Sequence, residues 1–134
     1  SEIKKTEDLL LKYATKHVML FRFPGLCFDD EDMRILNSTG YTATGGDVYG
    51  IDGFENNPDK IINNVLKNVK PGSIIVLHLH GGPYAKETAT ALPIIKKKVK
   101  NDGYKIVKVT DLWAQKLVNE LTDRSLLNHW QIPF

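Results

Sequence analysis

Apolar residues recur at helical spacing in five stretches of the chain. From Glu2 to Thr15, Ile3, Leu9, Leu10, Leu11 and Ala14 stand among charges, which predicts a surface helix. Asp29 to Ser38 predicts a short helix with Asp29 or Asp30 as N-cap and Met33, Ile35 and Leu36 on its apolar side. Pro58 to Val69 reads as a helix, with proline in its first turn and Ile61, Ile62, Val65, Leu66 and Val69 repeating once per turn. Ala85 to Lys100 is a further helix with weak points at Thr88, Thr90 and Pro93, closed by Asn101-Asp102-Gly103. Thr110 is placed to cap a last helix that runs to Leu121.

Between these stretches lie shorter runs suited to strands: His17 to Phe23, Tyr41 to Thr44, Ser73 to Leu77 and Tyr104 to Val109. Gly45 to Asn57 is rich in Gly and Asp and reads as a connecting segment. Strand and helix thus alternate about four times, which specifies an α/β chain with a mainly parallel sheet. The apolar run from Ser73 is opened by Pro71-Gly72 and closed by His78, Leu79 and His80 before Gly-Gly-Pro, so it reads as a strand buried on both faces. Chemistry in such sheets collects at the carboxyl ends of strands, where His78 and His80 stand. Side chains alternate along a strand, which puts Val76, His78 and His80 on one face and Leu77 and Leu79 on the other.

Composition narrows the function classes. The chain of 134 residues fits one domain, and its 42% hydrophobic and 25% charged content is that of an ordinary globular protein. A formal charge of +2, with acids spread among the bases, gives no footprint for nucleic acid. Lys96, Lys97, Lys98 and Lys100 read as the solvated face of a helix. Cys27 is the sole cysteine, which excludes an intrachain disulfide and a cysteine-based metal site. No run is apolar for long enough to cross a membrane and no signal-peptide pattern is seen, so no membrane partner is expected and the compartment stays open. His80 could chelate an ion together with His78, but no third ligand is apparent nearby.

Five segments in order carry a likeness to a known family. They are F-R-F-P-G (Phe21 to Gly25), D-V-Y-G-I-D-G (Asp47 to Gly53), K-P-G-S-I-I-V-L-H (Lys70 to His78), T-A-T-A-L-P-I-I-K (Thr88 to Lys96) and D-G-Y-K-I-V-K-V-T-D-L (Asp102 to Leu112). Together they resemble the polysaccharide deacetylases, the carbohydrate esterases that include chitin, chitooligosaccharide, peptidoglycan and acetylxylan deacetylases. The resemblance runs from Glu2 to Trp113 and matches the C-terminal half of that catalytic domain. It implies a partial (β/α) barrel of about four βα units, with residues 1–134 forming one partial domain and 122–134 a packed C-terminal tail.

The resemblance also implies roles. His78 matches the general acid that protonates the leaving amine or hydroxyl, and Asp52 the carboxylate that orients that imidazole. Arg22 matches the Arg that pairs with the base carboxylate. Pro24, Tyr49, Gly53 and Val76 are expected at the substrate; Gly53 stands where the family usually has Trp, and Val76 where it often has Leu. A divalent metal, zinc before others, is implied for the complete domain. The family's T-F-D-D-G and H-[ST]-x-x-H motifs, which bear the base and the metal ligands, do not precede Arg22. The N-terminal metal-binding half is therefore expected to be missing, and this chain alone to be inactive. Phe28-Asp29-Asp30 lies on the wrong side of Arg22 to replace it and is explained by a helix cap.

The expected substrate is an acetylated polysaccharide or oligosaccharide. Half a barrel leaves sheet edges and apolar faces open, so the metal-bearing half or a second copy of the chain is an expected partner. The alternative is a non-catalytic carbohydrate-binding or structural α/β module, in which Phe23, Phe28, Tyr49, Phe54 or Tyr84 stack on sugar rings.

Overall fold

The helical periods are realised nearly as read. The computed structural model describes residues 2–16, 19–79 and 85–122. Along it run α1 (Glu2–Tyr13), β1 (Leu20–Phe21), a tight turn (Pro24–Leu26), α2 (Asp30–Ser38), β2 (Thr42–Ala43), β3 (Val48–Tyr49), α3 (Pro58–Leu66), β4 (Ile75–Val76), α4 (Ala85–Asn101) and α5 (Val109–Thr122). His17 and Val18 of the first expected strand, His80, Tyr84 and the tail beyond Thr122 lie outside the described residues. The chain divides into two compact units between Gly45 and Gly46.

In the first unit β1 and β2 pair in parallel, Leu20 opposite Thr42 and Phe21 opposite Ala43. Asp29 caps α2: its carboxylate accepts from Asp32 N at 2.9 Å while Asp32 accepts from Asp29 N at 3.2 Å. This reciprocal box satisfies two N–H groups that the first turn leaves without helical partners, and it gives Asp29 a structural task. Leu36 of α2 and Tyr41 are buried.

In the second unit β3 and β4 pair in parallel, Val48 opposite Ile75 and Tyr49 opposite Val76. The Asn57 side chain caps α3 by accepting from Asp59 N at 2.9 Å, with Pro58 at the first helical position, where its missing N–H is not needed. α3 packs against α4, and Val48, Ile61, Ile62, Val65, Ala91, Ile95 and Val99 form the core between them and the strands. Pro93 lies within α4, exposed, and the helix runs through it. The lysines 96, 97, 98 and 100 face solvent, as their spacing implies.

Four expectations change. The sequence predicts a strand over Tyr104 to Val109, and the structure has none there. Tyr104 N–H is taken by Val99 O at 3.1 Å in the turn that ends α4 at Gly103 (φ +88°), and Lys108 O already accepts from Leu112 N at 3.0 Å to start α5. Helix-end bonds thus take the two ends of the segment, and a cavity of about 210 Å³ lined by Ile74, Ile75, Tyr104, Ile106 and Leu112 separates it from β4. For the same reason Thr110 is not a cap: α5 begins one residue earlier, at Val109. The run Ser73 to Leu77 is half-buried instead of buried on both faces, because among the described residues β4 has a partner strand on one edge only. Finally, the Gly-rich segment contains β3. A Cβ at Gly46 would lie 2.3 Å from Val76 Cγ2, so glycine there permits the strand pairing even as it makes the segment look like a loop.

Ile61 is fully buried and Ile94 lies on the solvent side of α4 at 41% exposure. Ile61→Ala should lower unfolding free energy by about 2–5 kcal/mol, through lost burial and a cavity. Ile94→Ala should change it by about 0.5 kcal/mol. Urea midpoints of the two variants check the assignment of the core, which fails if they are equal.

Candidate active site

The β3–β4 ladder runs upward from Ile74 O, which accepts from Val48 N, to Val76 O, which accepts from Gly50 N at 3.4 Å. Beyond Gly50 the chain leaves the strand direction. Ile51 takes φ +61°, a left-handed conformation unusual for a β-branched residue. Its carbonyl accepts from Phe54 N at 3.0 Å and Glu55 N at 3.1 Å, closing a turn. Gly50 allows the approach on which that turn depends, since a Cβ there would lie 2.4 Å from Leu77 Cδ2. Asn64 of α3 donates to Gly50 O at 3.1 Å and holds the start of the turn from the helix side.

The turn delivers the Asp52 side chain to the end of β4. Its carboxylate is 1% exposed. Oδ2 accepts from His78 N at 2.7 Å and from Thr88 Oγ1 at 2.6 Å, while Oδ1 lies 2.9 Å from His78 Nδ1. A side-chain oxygen thus takes the next N–H of the strand ladder and reaches the imidazole of the same residue. Burial alone would push the Asp52 carboxyl up; the bonds from Thr88 and from the His78 side chain and backbone outweigh it and hold the carboxyl below its ordinary range. An ionised carboxylate only accepts, so Nδ1 is the donor and carries a proton. The imidazole itself is 46% exposed. The arrangement can therefore anchor one ring nitrogen while the other exchanges protons at the surface.

Of the residues expected at the site, Asp52, Gly53, Val76 and His78 come together at the carboxyl end of β4. A Cβ on Gly53 would stand 3.3 Å from His78 Cε1, so any side chain there, including the Trp that the resemblance implies, would press on the ring. Val76 is half-buried, one turn of the pleat below His78. Tyr49 is half-buried and its hydroxyl donates to Gly46 O, within its own segment. Arg22 and Pro24 belong to the first unit; both are exposed, and Arg22 directly follows β1. In the sequence Thr88 stands out as a weak point of its helix and as the first residue of a family-like segment, with no role at the site. The signal was present, because Thr88 shares a stripe with Ala91, Ile95 and Val99, all buried, and a polar residue on an apolar stripe needs a partner. Among the described residues no group of three His, Cys, Asp or Glu could hold a metal ion, so the metal that the resemblance implies has no ligand set there.

No protein-family model matches the chain. A Bacillus cereus peptidoglycan-N-acetylglucosamine deacetylase is 33% identical over 103 residues, which covers 75% of this chain and 48% of that protein. A CE4 family pseudoenzyme from Bacillus anthracis superposes with a TM-score of 0.73 at 27% identity, over 81% of this chain and 37% of its own. The chain is related to the CE4 polysaccharide deacetylases. A bifunctional xylanase/deacetylase of Pseudobutyrivibrio xylanivorans adds 43% identity over 58 residues, 43% of this chain and 9% of that protein. The chain thus spans about half the length of the first of these curated relatives, or less. Together with the parallel strands and alternating helices, the CE4 neighbours identify the fold as part of a (β/α) barrel.

A second carboxylate, Asp47, marks the other end of the strand pair. The backbone N–H of Ile74 lowers its pKa, with help from the Ser73 hydroxyl against a smaller opposing effect of burial. Both carboxyls are depressed in the folded chain. Their stabilisation is present above the ordinary Asp value of about 3.9 and is lost as pH falls through the lower folded values. Urea midpoints should therefore fall steeply below about pH 4. Asp52→Asn should make that slope shallower while lowering the neutral-pH midpoint. An unchanged slope would contradict the assignment.

Proposed function

We propose that this chain carries the acid side of a polysaccharide deacetylase site, which hydrolyses acetyl groups from N- or O-acetylated polysaccharide. One observation carries the reading: the exposed imidazole of His78 is held at Nδ1, 2.9 Å from the buried carboxylate of Asp52. In this reading Asp52 orients the ring, and the ring gives its outer proton to the departing amine or hydroxyl as the tetrahedral intermediate collapses. Asp52 stays ionised throughout and acts as an orienting group. The leaving group approaches over Gly53, where the absence of a side chain leaves the ring edge open. Val76, Tyr49 and Pro24 remain the proposed substrate neighbours, and Arg22 pairs with the base carboxylate of a complete site.

A divalent metal, zinc first among candidates, belongs in this reading to the metal-bearing half of a complete domain, as does the base. The apolar residues that α5 exposes, Leu117, Val118 and Leu121, are then covered by that half or by a second copy. Peptidoglycan and xylan are the polymers named for the relatives, and acetylated forms of either are the proposed substrates. A second reading, a non-catalytic carbohydrate-binding module, is supported by the pseudoenzyme among the neighbours.

Joined to the part of the Bacillus cereus relative that this chain does not match, the chain should release acetate from acetylated chitooligosaccharides. His78→Ala should slow that release by about 10²–10⁴-fold, the usual contribution of a general acid. Turnover unaffected by His78→Ala would contradict the acid assignment. Oligosaccharide binding by the chain alone that survives both His78→Ala and a chelator, without turnover in the joined protein, favours the second reading.

A further inference from the structure

The Asp52 carboxylate has two oxygens with different duties. Oδ1 meets the imidazole, and Oδ2 is shared by His78 N–H and the Thr88 hydroxyl. The hydroxyl and the backbone N–H approach Oδ2 from separate elements, α4 and the end of β4. With both in place the carboxylate cannot turn about its own axis without losing a short bond. Thr88 is 2% exposed, so no solvent stands ready to replace its hydroxyl. It also lies in the first turn of α4, where the helix's partial positive charge favours a neighbouring carboxylate.

We infer that Thr88 is a positioning residue of the site, whose hydroxyl fixes the Asp52 carboxylate so that the His78 ring keeps its proton on Nδ1 and presents Nε2 outward. The strained turn at Ile51 and the bare Cα of Gly53 set where Asp52 and the ring stand; Thr88 sets how the carboxylate is rotated. The consequence for proton transfer to a leaving group rests on the deacetylase reading. The tautomer itself does not.

Two substitutions separate positioning from packing. Thr88→Ser keeps the hydroxyl and drops a methyl. Thr88→Val keeps the volume, removes the donor and sets a methyl group at hydrogen-bond distance from Oδ2, where carbon and oxygen repel. A packing role makes Ser the more harmful change, whereas a positioning role makes it Val.

The measurement is ¹⁵N NMR of the ring nitrogens of His78 in the whole chain, at a pH where the imidazole is neutral. The expected result is a dominant Nδ1–H tautomer in the unaltered chain and in Thr88→Ser, and a several-fold rise of the Nε2–H form in Thr88→Val. The inference is overturned if Thr88→Val keeps the original tautomer, or if Thr88→Ser loses it to the same degree. Should Thr88→Val fail to fold, the inference stands on Thr88→Ser together with Thr88→Ala, which must raise the Nε2–H form while Ser does not. Acetate release by the joined protein is read separately. Absence of turnover with the expected tautomers sinks the deacetylase reading alone, whereas turnover with unmoved tautomers sinks this inference alone.

Discussion

A carboxylate that is 1% exposed must find donors or lose its charge, and the second unit is arranged around that requirement at Asp52. The donors come from two elements: the backbone and ring of His78 at the end of β4, and the hydroxyl of Thr88 in α4. Removing one of them would leave a buried charge short of a partner, which is costlier than the bond itself. The same charge therefore fastens α4 to the strand end and aims the imidazole. Stability and candidate chemistry share one group.

The strand pair β3–β4 shows how short elements achieve this. Asp47 accepts from Ile74 N and Ser73 Oγ where the ladder begins, and Asp52 accepts from His78 N where it ends. Two carboxylates five residues apart thus bracket a pairing of two residues per strand. Behind them, the apolar faces of α3 and α4 supply the burial, with Ile61, Val65 and Ile95 nearly free of solvent. The left-handed Ile51 is tolerated because Asn64, the turn bonds to Phe54 and Glu55, and the bonds of Asp52 fix the backbone on both sides. The pattern agrees with the relation to the CE4 deacetylases and with part of a (β/α) barrel.

Much of this was legible in the sequence. The helices were readable because Ile61, Ile62 and Val65, or Ala91, Ile95 and Val99, repeat with the turn of the helix, and because Asp29 and Asn57 are strong caps. The pairing of Asp52 with His78 was reached through a resemblance, since two residues 26 positions apart leave no periodic trace. β3 escaped notice because the glycines that permit its close approach are also turn residues. The strand expected at Tyr104 to Val109 failed because β-branched composition reports preference, while pairing needs a neighbouring edge, and helix ends claim the backbone there first. Thr88 was overlooked because a threonine in a helix is usually judged by propensity; its place on a buried stripe was the better guide.

Asp52 is thus an ionised, buried carboxylate gripped by three donors. A ¹³C NMR titration of the Asp52 carboxyl in the chain tests this. The expected midpoint lies below the ordinary aspartate value of about 3.9, accompanied by a shift of the His78 ring signals as the carboxyl is protonated. A midpoint at or above that value would show that burial prevails over the hydrogen bonds, and the account of how this site is held would be wrong.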